Sequence, residues 1–471
     1  MKQFLASAAV FAATVSAIPV WQQCGGREWK GTGTCDAGTT CVFLNDYYSQ
    51  CQPGAATTTT LVTTTRSSST TSRSTTSVGT TSRSSSSTTT RVTSSTTTSN
   101  GGSTTSPPPV SASGNPFAGK QIYANPYYSS EIHTLAIPSL PSSLQAKASA
   151  VAKIGTFTWF DTAAKVPTMD TYLADIKAKN AAGASPPIMG AFVVYDLPNR
   201  DCAALASNGE YTVANDGLNK YKAYIDSIAA IIKKYPETTM ALVIEPDSLG
   251  NLVTNMNVAK CQEASPAYIA GVEYAAKTLN FPNVAMYLDA GHAGWLGWDA
   301  NLAPAAKLFA QIYTEAGKPA ALRGLVTNVS NYNGYNITSA PSYTQGNKNY
   351  NEKLYINAIA PLLQQNGFPA RFIVDQGRSG VQPTAQQAWG DWCNVKGTGF
   401  GIRPTTDTGD ALVDSIVWVK PGGESDGTSN SAAARYDAHC GYADALTPAP
   451  EAGTWFQAYF EQLLRNANPA F

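Results

Sequence analysis

One stretch constrains this 471-residue chain more than any other: 38 of the 50 residues from 57 to 106 are Ser or Thr. It holds no Asp or Glu, and Arg66, Arg73, Arg83 and Arg91 are its only charges. So little apolar area cannot offset the entropy of ordering a backbone, so the segment is expected to stay extended. Ser/Thr enrichment running into Pro107, Pro108 and Pro109 reads as an O-glycosylated stalk. Folded structure must therefore lie on either side of it. The expected division is a leader over 1–17, a small unit over 18–54, a linker over 55–113 and a large domain over 114–471. That layout suits a tethered enzyme, one end gripping a surface while the other works on it.

The leader expectation rests on Lys2, the apolar run 4–15 and the small residues Val15-Ser16-Ala17. The run is too short to span a bilayer and no later one is longer, so a secreted, extracellular protein with no membrane partner is expected. From residue 114 onward there are 25 basic and 29 acidic residues, and no basic patch, which argues against a nucleic-acid partner. Only 14% of the chain is charged, against 9 Trp and 23 Tyr, a balance suited to an uncharged polar substrate with apolar faces, such as a sugar polymer.

The eight cysteines divide four and four. Cys24, Cys35, Cys41 and Cys51 crowd into the small unit, which at about 35 residues is too small for an adequate core and needs disulfide staples. Four cysteines allow three connectivities, and spacing does not choose among them. Cys202, Cys261, Cys393 and Cys440 are spread through the large domain. Without a Cys-x-x-Cys pair, and with 3 His in all, neither set reads as a zinc site, and no metal or organic cofactor is expected.

In the large domain, β-branched and aromatic runs alternate with helical periodicity. Strands are expected at 156–160, 190–195, 241–245, 284–288, 324–327, 372–374 and 415–419. Helices are expected at 218–234, 266–279, 305–316, 352–365 and 454–466. The pattern predicts an α/β fold, a distorted seven-stranded parallel β/α barrel, beside a small disulfide-stapled β-rich module. Asp161, Asp196, Glu245, Asp247, Asp289, Asp375 and Asp426 each fall at or just past a strand's C-terminal end, the catalytic face of such folds. Trp159 precedes Asp161, Trp295 and Trp298 follow Asp289 and His292, and Trp389 and Trp392 flank Asp391. Paired carboxyl groups beside aromatic platforms are what glycoside hydrolysis needs. His292, inside a glycine-rich aromatic loop, is a ligand candidate, whereas His133 and His439 carry no supporting motif.

The large domain closely resembles the glycoside hydrolase family 6 cellobiohydrolases of fungi. The resemblance runs through Val-Val-Tyr-Asp-Leu-Pro-Asn-Arg-Asp-Cys from Val193, Val-Ile-Glu-Pro-Asp-Ser-Leu from Val243 and Tyr-Leu-Asp-Ala-Gly-His-Ala-Gly-Trp from Tyr287. Asp-Gln-Gly-Arg-Ser-Gly from Asp375 and Trp-Val-Lys-Pro-Gly-Gly-Glu from Trp418 continue it. The small unit, with Gln-Cys-Gly-Gly from Gln23 and Asn-Asp-Tyr-Tyr-Ser-Gln-Cys from Asn45, resembles a fungal family 1 cellulose-binding module.

The resemblance implies an inverting, exo-acting cellulase that releases cellobiose from non-reducing ends, a monomer whose partners are cellulose and cello-oligosaccharides. It makes Asp247 the general acid, Asp201 its partner, Tyr195 a neighbour of the distorted sugar and Ser207 a holder of the water. Asp426 and Lys420 fall on the far side, where Asp426 or a water chain toward Asp201 would serve as base, about 6.5–9.5 Å from the acid. Trp159, Trp295, Trp298 and Trp392 are implied platforms, with Asp161, Asp289, His292, Asn331, Arg378, Lys420 and Glu424 at sugar hydroxyls. Implied bridges are Cys24–Cys41, Cys35–Cys51, Cys202–Cys261 and Cys393–Cys440, the last two tying down loops 201–216 and 421–438 that roof exo-acting sites. On the module, Trp21, Tyr47 and Tyr48 form the implied flat strip, with Asn45 and Gln50 beside it. Asn336 and Asn328 sit in N-glycosylation sequons. Ser425 departs from the unpaired Cys common in the family, and the module has four cysteines where some have six. The alternatives are an endo-acting glucanase of the same fold, or a non-catalytic wall-loosening protein, which would lack Asp201 or Asp247. The chitinase Asp-x-x-Asp-x-Asp-x-Glu pattern is absent.

Overall fold

Hydrogen bonding, not length, organises the small unit. The computed structural model describes residues 17–18, 23–25, 33–45, 48–53 and 114–471. In the small unit β1 (Gln23–Gly25), β2 (Thr39–Asn45) and β3 (Tyr48–Pro53) form an antiparallel sheet in the order β1-β3-β2. Cys41 and Cys51 stand opposite one another in the β2–β3 register. Disulfides join Cys24 to Cys41 and Cys35 to Cys51. Trp21 and Tyr47 lie outside the described residues, and so do residues 1–16 of the expected leader and the linker from 54 to 113. For Asn45, Tyr48 and Gln50 the description extends only to the backbone.

The large unit is built on one parallel sheet. Its strands are β4 (Gln121–Ile122), β5 (Thr158–Phe160), β6 (Ile188–Val194), β7 (Met240–Ile244), β8 (Val284–Asp289), β9 (Leu322–Thr327), β10 (Arg371–Asp375) and β11 (Val413–Val417). The ladder runs β11-β10-β9-β8-β7-β6, and β4 and β5 take successive stretches of the free edge of β6. All seven expected strands are present; the two-residue β4 is an addition too short to show a period. β5 and β11 do not form a ladder. A single backbone bond from Phe157 N–H to the Trp418 carbonyl (3.0 Å) and the Trp159 indole N–H to the Val419 carbonyl (2.9 Å) draw them together. The result is a seven-stranded barrel curled around an unpaired seam.

Period-two alternation sorts the strands' side chains. Met189, Ala191, Val193 and Tyr195, then Ala241 and Val243, then Ala285 and Tyr287 fill the barrel interior with Val326, Ile373 and Val417. Their alternates, such as Phe192 and Leu242, are equally buried, so the strands read as continuous apolar runs. Outside, the helix Gly217–Ile232 buries Tyr221, Tyr224, Ile225, Ile228 and Ile232 at helical spacing. A second core packs residues 128–152 against Phe400, Trp418 and the C-terminal helix Gln457–Arg465. At the strands' N-terminal end a buried ion pair of Arg323 with Asp414 (2.6 and 2.8 Å), joined by the Tyr287 hydroxyl (2.7 Å), fills the barrel mouth. Functional chemistry is therefore left to the opposite end. Among the described residues no helix is long and apolar enough to cross a membrane.

Candidate active site

β7 runs straight into Glu245-Pro246-Asp247, where Glu245 (φ 51°) and Asp247 (φ 59°) are both left-handed. Non-glycine residues there cost about 1–3 kcal/mol each, a strain that the surrounding packing must impose. The left-handed turns, not strand alternation, send the two carboxyl groups to different places. Glu245 is buried and accepts the Asp196 and Leu197 amides (3.1 and 3.3 Å). Asp247 stays half-buried, at the open end of the strand. Its amide donates to Asp289 Oδ2 (3.0 Å), which also takes the Gly291 amide (3.2 Å). Burial, then the neighbouring Asp201 and Asp289 carboxylates, hold the Asp247 pKa well above the usual range. Burial likewise pushes Asp289 up to about 7. A carboxyl group kept protonated in mildly acidic water is a proton donor.

Asp201 begins the loop after β6, itself left-handed (φ 56°). Arg200 organises this corner. Its Nη1 donates to the Asp161 carbonyl (2.8 Å), its Nε to the Ser207 carbonyl (2.9 Å), and its guanidinium lies 4.2 Å from the Tyr195 ring centre. Lys260 Nζ holds the Asp201 carbonyl (2.9 Å) and Asn208 Oδ1 (2.6 Å), beside the Cys202–Cys261 bridge. Burial raises the Asp201 pKa, against the opposing pull of Arg200 and Lys260, and the Ser207 hydroxyl bonds its carboxylate. Tyr195 stacks edge-on against Trp159, centroids 5.4 Å apart. Asp161 instead pairs with Lys165 (2.6 Å).

Across the site Asp426 is buried, with most of its hydrogen bonds on one oxygen. Its Oδ2 takes Arg378 Nη1 (2.7 Å), the Tyr332 hydroxyl (2.7 Å) and the Asn394 amide (2.8 Å), and its Oδ1 takes Arg378 Nη1 (2.8 Å). Arg378, expected at a sugar hydroxyl, is 1% exposed and spends its other Nη on the Ser330 carbonyl, so it supports Asp426 rather than facing a ligand. Asp289, 2% exposed, moves to the supporting layer for the same reason. Lys420 and Glu424 are partly exposed and pair loosely (3.6 Å). Asp375 is a strand-end clamp, accepting the Gly377, Ser330 and Lys420 amides. Asn331 turns its Oδ1 onto the Tyr332 amide (2.9 Å).

The third flank is aromatic. Trp295 anchors its indole N–H on Thr254 Oγ1 (2.7 Å) and Trp298 on the Gly294 carbonyl (2.8 Å), leaving both rings half-exposed. Gly291 must be glycine: its φ is 56°, and a Cβ there would meet the Trp295 ring at 2.7 Å. Trp298 packs edge-on to the buried Trp389, and Trp392 lies against His439, 5.3 Å between centroids. His292 accepts bonds at Nδ1 from the Gly294 amide (3.2 Å) and from Asn333 Nδ2 (3.1 Å).

The two disulfide-anchored loops meet. The Leu205 amide donates to Asp437 Oδ2 (3.1 Å). A Cβ on Gly427 would come within 2.9 Å of Ala206 and 2.6 Å of the Cys440 sulfur, a bridge closed with Cys393. The loop carrying Asp201 and Ser207 thus touches the loop carrying Asp426.

Residues 117–467 match the profile of Glycosyl hydrolases family 6, and residues 20–48 that of the Fungal cellulose binding domain. The chain belongs to glycosyl hydrolase family 6. It is 69% identical over 467 residues to a probable 1,4-beta-D-glucan cellobiohydrolase C of Aspergillus terreus, covering 99% of each chain. It is 60% identical to a putative endoglucanase type B of Fusarium oxysporum, covering 98% of each. The catalytic core domain of the cellobiohydrolase Cel6A from Chaetomium thermophilum superposes with a TM-score of 0.75 at 64% identity, over 76% of this chain and 100% of that one.

The family 6 domain holds residues that sequence reasoning did not assign and that hydrogen-bond the site's loops and side chains: Arg200, Lys260, Asn333, Glu352 and Asp437. Only Arg200 carried a signal, its place beside Asp201 in the quoted motif. Asn328 needs correction as a glycan acceptor. It is 0% exposed, and its Nδ2 is bonded to the Asn333 and Asp375 carbonyls (3.1 and 2.7 Å), so no transferase can reach it in the folded domain. Asn336 is exposed.

Proposed function

We propose that this chain is a secreted, monomeric, exo-acting cellulase that hydrolyses β-1,4-glucosidic bonds with inversion and releases cellobiose from non-reducing ends. The observation that carries the exo reading is the meeting of loops 201–216 and 421–438 through Leu205–Asp437 and Ala206–Gly427. A closed roof admits a chain end and excludes a chain middle. It favours the cellobiohydrolase reading over the endoglucanase one. Asp201 and Asp247 are both present, which argues against a purely binding protein.

In the proposed reaction Asp247 protonates the leaving glycosidic oxygen while a water attacks the opposite face of the sugar. The water's proton passes toward Asp201, with Ser207 holding the water. Asp426 is set aside as the base because its oxygens already carry Arg378, Tyr332 and an amide. Acid, water and acceptor balance the reaction, so no metal or organic cofactor is invoked. Trp159, Trp295, Trp298 and Trp392 serve as ring platforms, with His292, Asn331, Lys420 and Glu424 at hydroxyls. The family 1 module grips cellulose and the linker carries O-glycans, with an N-glycan at Asn336.

Asp247→Ala tests the acid. Turnover of cellohexaose should fall about 10²–10⁴-fold while cellotetraose binding is kept. Near-normal turnover would overturn the assignment. Exo action predicts little viscosity loss of carboxymethylcellulose per bond cut; a steep loss would mean endo action.

A further inference from the structure

His292 sits at the end of a hydrogen-bond chain whose direction can be deduced. It starts at Trp389, whose indole N–H donates to Asn333 Oδ1 (2.7 Å). An indole nitrogen is donor-only, so the oxygen of the Asn333 amide must face Trp389 and its NH₂ must face the other way. That NH₂ reaches both Glu352 Oε1 (2.9 Å) and His292 Nδ1 (3.1 Å). Glu352 Oε1 can accept because it also takes the Ala293 amide (2.9 Å). His292 Nδ1 must then accept, and the Gly294 amide donates to the same nitrogen (3.2 Å). Two donors on Nδ1 leave the ring proton on Nε2, which has no hydrogen-bonding partner among the described residues. Asn333 is itself fixed: its amide donates to Asn328 Oδ1 (3.1 Å) and its carbonyl takes Gln376 Nε2 (2.9 Å).

We infer that Trp389 and Asn333 are positioning residues that lock His292 in the Nε2–H tautomer, making it an obligate hydrogen-bond donor to an oxygen of the bound glucan. This rests on the proposal that His292 faces sugar. An obligate donor selects orientation as well as presence: the sugar hydroxyl it meets must accept, and so must direct its own hydrogen elsewhere. Burial also holds His292 at a pKa of about 4, so the ring is neutral in mildly acidic water. The carboxyl groups packed nearby are Glu352, which reaches the ring only through Asn333, and Asp289, which interacts with Glu352. The same amide supports Trp389, on which Trp298 packs. One asparagine therefore sets both a platform and a polar contact.

The test uses the full chain labelled with ¹⁵N-histidine. With 3 His in the sequence, His292 can be assigned by its loss in His292→Gln. Long-range ¹H–¹⁵N spectra of the unliganded wild type at pH 5 and 7 should report the neutral Nε2–H tautomer at both. An Nδ1–H tautomer, or an imidazolium at pH 5, would overturn the inference without touching the glucanase proposal. Asn333→Asp replaces the donor by an acceptor and should switch His292 to Nδ1–H, weakening cellotetraose about 10-fold. Glu352→Gln keeps an acceptor oxygen for Asn333 and should leave the tautomer unchanged. A folded Asn333→Asp protein that kept Nε2–H and wild-type affinity would refute the lock. Should that variant not fold, Trp389→Phe replaces it, and the expected result is a mixture of tautomers; a pure Nε2–H form would count against the relay. Added cellotetraose should shift the wild-type Nε2–H resonance, and binding without such a shift would reject the donor role while leaving glucan binding intact.

Discussion

Replacing Glu352 by Gln should raise stability at pH 8 and leave it nearly unchanged at pH 4. Glu352 opens the helix Glu352–Gln365, is 0% exposed, and uses Oε1 to accept the Ala293 and Asn333 N–H groups. Burial pushes its pKa from 4.5 up to about 7. The folded-state pKa is raised, so its contribution is fully present below pH 4.5, where both states are protonated, and is lost as pH rises through about 7. A rise of about 2.5 in pKa is worth on the order of 3 kcal/mol at 1.36 kcal/mol per pH unit. Gln copies the protonated acid, an acceptor oxygen beside a donor, and does not titrate. For a domain of this size about 3 kcal/mol corresponds to roughly 4 °C in Tm. Calorimetry of both proteins at pH 4 and pH 8 reads the difference directly. The variant should match wild type at pH 4 and melt about 4 °C higher at pH 8. Equal Tm differences at the two pH values, or a variant less stable at pH 8, would refute the burial argument. Glu245 and Asp196, whose pKa values burial also raises, titrate in both proteins and cancel in the comparison.

Three further outcomes follow from the same geometry. Asp426→Asn leaves Arg378 buried without its counter-charge and should cost about 3–5 kcal/mol. If Asp426 only positions, this shows in denaturant midpoints while the acidic limb of the pH–rate profile keeps its place; loss of that limb would restore Asp426 as base. Ser425→Ala removes a hydroxyl that contacts the Pro450 carbonyl (2.9 Å) and the Gly427 carbonyl (3.1 Å), so thermal stability should drop by about 1–2 kcal/mol with kcat unchanged. Asp437→Ala unties the Leu205 amide and the His439 ring (3.1 and 2.7 Å), and should steepen viscosity loss per bond cut on carboxymethylcellulose. An unchanged viscosity slope would mean that this contact does not hold the roof.

The strands were legible because buried parallel strands are apolar on both faces: runs such as 190–195 and 284–288 stand out against any helix period. Helix starts were less so. Reading Pro266 and Ala305 as first-turn positions truncated helices that begin at Ala259 and Asp299 and carry Pro266 and Pro304 inside. The helices Ser142–Val151 and Pro167–Ala181, whose apolar faces are weakly patterned, went unforeseen. Strand-end acids announced the site, but not their division of labour. Asp247 and Asp289 look alike in sequence, and only burial separates a cleft carboxyl from the one bonded to its amide. Asn333 and Glu352 had no local signature because their partners lie elsewhere in the chain: Asn333 joins Trp389 to His292, 97 residues apart, and Glu352 holds the Ala293 amide. Supporting contacts of that kind exist only once the fold has brought the loops together.

The most direct test of the central claim is the stereochemistry of the first product. Wild-type protein with cellohexaose, followed by proton NMR from the first seconds, should give mainly cellobiose born as the α-anomer, as direct attack of water with Asp247 as acid requires. A β-anomer would mean a covalent intermediate and retention, and would contradict the account of Asp247, Asp201 and the water between them.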